Sequence, residues 1–185
     1  HLIFKGTRKR KTWHILSRIE NVGGELNAYT TKEETVIYAS FLSPYYERTF
    51  ELFADVAFNS VFPEKEVEKE KEVIIDEINS YNDSPAELIY DDFEELVFEG
   101  HPLGRNILGN AKKVKRYSRE DIVRFLKSHY STRNMVIASV GEIDFSKLVK
   151  LVEKYFEAFS ESENHTARAP FQRYFPTKKA VKKES

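Results

Sequence analysis

The chain has 185 residues, 41% of them hydrophobic, which suits one well-buried globular domain. Its 29 basic and 30 acidic residues nearly cancel, so no global field draws it to nucleic acid or to an anionic membrane, and no apolar run approaches the ~18 residues of a membrane span. Cysteine is absent, which excludes disulfide scaffolds and thiolate metal sites and leaves His, Asp and Glu as the strong ligands.

The chain opens on His1 without a signal-peptide pattern. HLIFKG reads as the last turn of a helix whose body lies upstream, with Gly6 letting the backbone leave through a left-handed conformation. KGTRKRK (5–11) and KKAVKK (178–183) are local basic runs of the kind that is usually solvated surface. A helix is predicted from Thr12 to Val22, with Ile15, Leu16, Ile19 and Val22 on one side and Gly23-Gly24 as its stop. Residues 25–42 change to β-branched and aromatic types around a polar TTKEE centre, the pattern of a hairpin or two successive strands. Further helices follow Pro44 to about Phe58 and span 64–81. Another opens at a capping box of Ser84 and Glu87, with Pro85 at its first position, and runs to about Phe98. GHPLGRNILGN (100–110) reads as an ordered loop, and Ser118 with Asp121 caps a helix to about Tyr130. NMVIASVG (134–141) is a continuous apolar run fit for a buried strand, and Asp144 begins a last amphipathic helix through Phe145, Leu148, Leu151, Val152, Tyr155 and Phe156. Strands separated by runs of several helices, without regular alternation, indicate an α+β fold: an antiparallel sheet with helices packed on one face.

The helix at 64–81 carries the sharpest chemical signal. With ~100° per residue and Glu77 as zero, Val73 falls near −40°, Tyr81 near +40°, Ile74 near +60°, and Glu70 at about +20°. Both glutamates are thus expected within the apolar stripe, although Glu68, Glu72, Asp76 and Asn79 give the helix a separate solvent side. Carboxylates in such a stripe demand cations, either basic side chains or a metal ion. His14, His101, His129 and His165 are scattered singly, none has a second ligand four residues on, and all four read as structural or exposed.

HLIFKGT, GGELNAYTTKEETVIYASFL, EKEKEVIIDE, GHPLGRNILG and NMVIASVGEID occur in the order and approximate spacing of the pitrilysin/insulinase family of zinc metallopeptidases. As far as about Phe159 the chain resembles above all the mitochondrial-processing-peptidase-like branch. That family carries an inverted zinc motif, His-x-x-Glu-His, followed closely by Phe-Lys-Gly-Thr. The resemblance aligns His1 with the second His and sets the first His and the general-base Glu in residues before His1. It makes Glu77 the third Zn2+ ligand and Glu70 a supporting acid near the metal. Such a site leaves one zinc position open for water, whose pKa falls toward ~7. Asn27-Ala28, with Glu33-x-Thr35 behind, matches the family's edge-strand signature, which implies that a substrate joins there as an added β-strand.

What the resemblance implies is a zinc-dependent metalloendopeptidase acting on peptide or unfolded protein, with a second family domain or subunit as partner and no nucleic-acid or membrane partner. Residues 1–159 are then an N-terminal metallopeptidase domain lacking its first strand and the start of its zinc-motif helix, and 160–185 a final strand or linker toward a second, absent domain. With two of three ligands and no general base, this stretch alone is not expected to hydrolyse peptides. The rival reading is a non-catalytic family member serving as partner or scaffold subunit, against which His1, Glu70 and Glu77 are all retained. A simple peptide-binding module would explain the edge strand but not the acids in a helix stripe. Compartment is undetermined, with cytoplasm or an organellar matrix favoured over secretion.

Overall fold

The computed structural model describes residues 1–159 together with Pro170 and Ala180. The expected strand or linker over 160–185 therefore lies, but for those two residues, outside the described residues. In chain order the regular elements are α1 (Thr12–Glu20), β1 (Glu25–Thr30), β2 (Thr35–Ser40), α2 (Tyr46–Phe58), α3 (Glu64–Asn82), α4 (Pro85–Val97), α5 (Ala111–Arg116), α6 (Arg119–His129) and α7 (Phe145–Phe156). The fold is α+β and mostly helical, and among the described residues its sheet is a two-stranded antiparallel hairpin of β1 and β2. No helix of the described residues is long and apolar enough to cross a membrane.

Two compact units share the chain. One comprises His1–Tyr29, Val36–Glu68 and residues 118–159, the other Thr30–Thr35 and Lys69–Tyr117 with Pro170 and Ala180. The first is built around α2, which is buried on two sides because its apolar residues form two stripes rather than one. Leu52 and Val56 join Ile15 and Ile19 of α1 and Leu26 of β1 in one cluster. Tyr46, Phe50 and Ala54 join Leu151 and Phe156 of α7 in a second. Leu52, Val56, Ile15 and Ile19 are fully buried, and each such side chain contributes about 1.5–3 kcal/mol by leaving water. The α1–β1 corner needs glycine: a Cβ on Gly24 would stand 2.5 Å from the Ser40 carbonyl oxygen and 2.7 Å from the Ile19 side chain. At the start of the chain, Leu2–Phe4 forms a single 3-10 turn, and Gly6 leaves it at φ +141, a conformation open to glycine.

In the second unit the hairpin tip is tied to α4. Lys32 forms an ion pair with Glu94 and lies 3.6 Å from Asp91. Asp91 also accepts a hydrogen bond from the Asn106 side chain at 2.7 Å, which anchors the 100–110 loop. That loop is ordered as expected, with the Leu108 N–H donating to Asn106 Oδ1 at 2.7 Å and the Leu103 N–H to His101 Nδ1 at 3.2 Å.

Several sequence expectations change. Residues 135–140 form no strand: they run extended with alternating burial, Val136 and Val140 being 93% and 101% exposed. The inward residues still pack, since Ile137 joins the α2–α7 cluster and Ser139 hydrogen-bonds Tyr46 at 3.2 Å, but no ladder partner lies beside the run among the described residues. Ser84 makes no side-chain cap to α4, whose first turn is closed by backbone bonds to the Ser84 carbonyl. The Ser118–Asp121 box of α6 does form, at 3.2 Å for the Asp121 N–H to Ser118 Oγ and 2.9 Å for the reciprocal bond. Short α5, capped by Asn110 Oδ1, was not anticipated.

Candidate metal and substrate site

α3 carries the two glutamates on different parts of its surface. Its buried stripe runs through Val67, Glu70, Ile74, Ile78 and Tyr81, three or four residues apart. Glu70 lies at the centre of that stripe and is 7% exposed, whereas Glu77 lies on its exposed shoulder beside Val73, itself 48% exposed. The expectation that both carboxylates are buried is therefore corrected for Glu77. Ile74 and Ile78, not Val73, centre the packed face, which turns the stripe away from Glu77. Seven residues along a helix rise ~10.5 Å, so Glu70 and Glu77 would meet at one ion only with both side chains extended toward each other along the helix axis.

His1 is exposed and immediately precedes the Leu2–Phe4 turn in the first unit. That turn is held to the end of α2: Ser60 Oγ donates to the Ile3 carbonyl at 3.1 Å, and the Val61 N–H donates to the Gly6 carbonyl at 3.1 Å. Glu77 belongs to the second unit. Imidazole nitrogen and carboxylate oxygen are both zinc donors, so the chemistry of the pair fits the ion, while a catalytic zinc takes three protein ligands. No group of three or more His, Asp or Glu side chains among the described residues is arranged to hold a metal. His1 and Glu77 can thus supply at most two ligands of such a site.

Asn27 and Ala28 lie in β1, which has β2 on one side and no strand on the other among the described residues. The hairpin closes with the Thr31 N–H donating to the Glu34 carbonyl at 2.8 Å. Bonded positions recur at every second residue of an antiparallel ladder, so Tyr29, Asn27 and Glu25 turn their N–H groups toward β2, and Ala28 turns its own away. Accordingly the Ala28 N–H donates to the side-chain Oδ1 of Asn27, at 2.8 Å. The free edge of β1 is covered at that point by its own neighbour. Tyr29 and Tyr38 stack obliquely across the hairpin, ring centres 6.0 Å apart, and both are exposed.

Two polar networks escaped the sequence reading. Arg10 donates to both oxygens of Glu51 at 2.7 Å and pairs with buried Asp55 at 2.5 Å, and Thr7 Oγ1 donates to Asp55 at 2.7 Å. In the second unit the Tyr81 phenol is pushed up to about 12, first by burial and then by Asp91. The basic run at 5–11 and the lone Lys32 in TTKEE were the available signals, but charge in a turn does not reveal which acids it meets.

Residues 1–111 match the description Insulinase (Peptidase family M16), and residues 116–185 match Peptidase M16 inactive domain. The chain belongs to the insulinase, or M16, peptidase family. An uncharacterized zinc protease of Rickettsia bellii is 36% identical to this M16 chain over 163 residues, 88% of the chain and 40% of the relative. The mitochondrial-processing peptidase subunit beta of Saccharomyces cerevisiae is 37% identical over 164 residues, 89% of the chain and 36% of that protein. Among solved structures, a protease from Helicobacter pylori superposes with a TM-score of 0.84 at 24% identity, over 92% of the chain and 42% of its own. This M16 chain spans about a third to two fifths of the length of the curated relatives it matches.

Proposed function

We propose that the chain is part of a zinc-dependent metalloendopeptidase, with His1 and Glu77 as metal ligands, Glu70 as a positioning acid, and the edge of β1 at Asn27 and Ala28 as the substrate-binding strand. The reading is carried by one observation: a carboxylate, Glu70, is buried on a helix whose Glu64, Glu68, Glu72, Asp76 and Glu77 are all exposed, inside the segment that matches the M16 peptidase family. The names of the relatives support it, two of them peptidases or zinc proteases.

When bound, the zinc supplies Lewis acidity, polarising a peptide carbonyl and lowering the pKa of water toward ~7. The chain's own residues do the rest of what is proposed here. The edge of β1 offers main-chain donors and acceptors to an extended peptide, which yields affinity with little demand on side-chain identity. Asn27 releases the Ala28 N–H to the incoming strand and turns its amide to the substrate backbone. Buried Glu70 fixes the orientation of a ligand or a water molecule by hydrogen bonding. The general base and the remaining ligand come from a His-x-x-Glu-His phrase to which His1 contributes the last residue, and a second family domain or subunit helps enclose the peptide. A cytoplasmic or organellar-matrix setting accompanies this reading.

A second reading, a non-catalytic partner or scaffold subunit, is favoured by the exposure of Glu77. The two separate in one assay: hydrolysis of several unstructured peptides by the intact protein, before and after chelation and after zinc is restored. The enzyme reading expects activity that chelation abolishes and zinc recovers. Absence of hydrolysis in every arm by the metal-loaded intact protein, with its partner present, overturns it.

A further inference from the structure

We propose that the cleft between α1 and α2 binds a phosphate-type dianion. It has a volume of about 260 Å³, and the described residues that line it all carry polar side chains. Four are cations: Lys9, Arg10, Arg18 and Arg48. Among the described residues no carboxylate lines it.

The cleft is built rather than incidental. The turn that presents Lys9 and Arg10 is organised by Thr7, whose Oγ1 accepts from the Lys9 and Arg10 N–H groups at 3.2 and 3.0 Å while donating to Asp55. Behind the cleft, Glu51 holds two of the cations, accepting from Arg10 at 2.7 Å and from Arg18 at 3.0 Å, and Asp55 pairs with Arg10. Lys9 and Arg48 form no ion pair with a carboxylate of the described residues, and the Arg48 guanidinium lies over the Tyr45 ring, 5.9 Å from its centre. Four cations against two carboxylates leave 4 − 2 = 2 formal positive charges. A phosphomonoester carries about −1.5 to −2 at neutral pH, which matches that surplus.

Neutral donors complete the lining. Ser17 and Asn21 contribute a hydroxyl and an amide, and His14 accepts the Lys11 N–H on Nδ1 at 3.3 Å, which leaves Nε2 as the protonated nitrogen of the neutral ring. Guanidinium groups suit phosphate oxygens because they present paired donors in a plane, and those of Arg10 and Arg18 are already oriented by carboxylates. The volume of about 260 Å³ exceeds that of a phosphate or pyrophosphate group, so the cleft holds the anionic group with room for part of the molecule that carries it.

The cleft shares no residue with the proposed metal site and its test does not use peptidase activity, so it stands or falls separately. Pyrophosphate and inorganic phosphate are titrated calorimetrically into the intact protein at constant ionic strength, with chloride as the balancing anion. One saturable site per chain is expected, weakened about tenfold by Arg48→Gln and similarly by Lys9→Gln. Neither residue pairs with a carboxylate of the described residues, so both variants should unfold at the wild-type denaturant midpoint, which is measured alongside. Vesicles of phosphatidic acid in phosphatidylcholine identify the source of the phosphate. Sedimentation lost in Arg48→Gln assigns a lipid headgroup, and pyrophosphate binding without sedimentation assigns a soluble ligand. The absence of saturable binding to any of the three probes, or binding unchanged in the Lys9→Gln, Arg48→Gln double variant, overturns the proposal.

Discussion

Glu70 and Glu77 stand two turns apart on α3 in different surroundings, one buried and one exposed. A buried carboxylate that orients a group by hydrogen bonding loses that capacity as an amide without changing size. Glu70→Gln is therefore expected to lower peptide turnover by about 10–100-fold while zinc content stays at the wild-type level. Parallel metal analysis and kinetics check this, and loss of zinc in Glu70→Gln would make it a ligand instead. Arg10 supplies a stability test at the same scale. Its guanidinium bridges Glu51 and Asp55, and Asp55 is only 3% exposed, so Arg10→Ala leaves a buried charge without its cation. The expected cost is about 3 kcal/mol in denaturant unfolding, and a change below about 0.5 kcal/mol would show that solvent already screens the pair.

The parity of β1 turns one of its strand positions into a clean probe. Because the Ala28 N–H faces away from β2, proline at 28 removes an edge donor and spares the ladder, whereas proline at Tyr29 removes a ladder bond. Ala28→Pro is expected to slow hydrolysis of chemically different peptides at least tenfold with a near-normal melting temperature and zinc content. Tyr29→Pro should lower the melting temperature itself. At the start of α6, the Ser118 backbone N–H and hydroxyl hold the Asp121 carboxyl below its usual range. A carboxylate whose folded pKa is depressed contributes stability above its unfolded pKa of about 3.9, and that contribution disappears as pH falls through the folded value. Ser118→Ala is expected to lower stability near neutrality through loss of the hydroxyl cap and to make the acid limb of the stability curve below about pH 4 shallower without removing it, because the Ser118 backbone N–H still holds Asp121. An unchanged acid limb would contradict the cap. Ser118 and Asp121 were readable because a capping box is local in sequence. Ser84 and Glu87 share the spacing, but Ser84 accepts no side-chain bond, and a motif read from spacing alone does not reveal that difference. NMVIASVG misled differently: its apolar content was real, yet strand pairing depends on a neighbour that no local pattern specifies.

Across the molecule, most helices and the hairpin were legible because apolar periodicity and Gly or Pro stops are local, and the family was legible because its phrases keep their order. The burial of Glu77 was not, since an angular position on an ideal helix does not say which part of a broad apolar stripe will be covered. Nor was the cationic cleft, whose side chains come from three segments between Lys9 and Arg48. The two proposed ligands belong to different units and lie 77 − 1 = 76 residues apart, so their joint use of one ion is the claim on which the functional reading rests. Zinc content of the purified intact protein, determined by elemental analysis for wild type and Glu77→Gln, tests it most directly. The account expects one zinc per catalytic domain in wild type and a loss of most of it in Glu77→Gln, because a neutral amide is a poorer ligand than a carboxylate. Equal zinc content in the two proteins would contradict it.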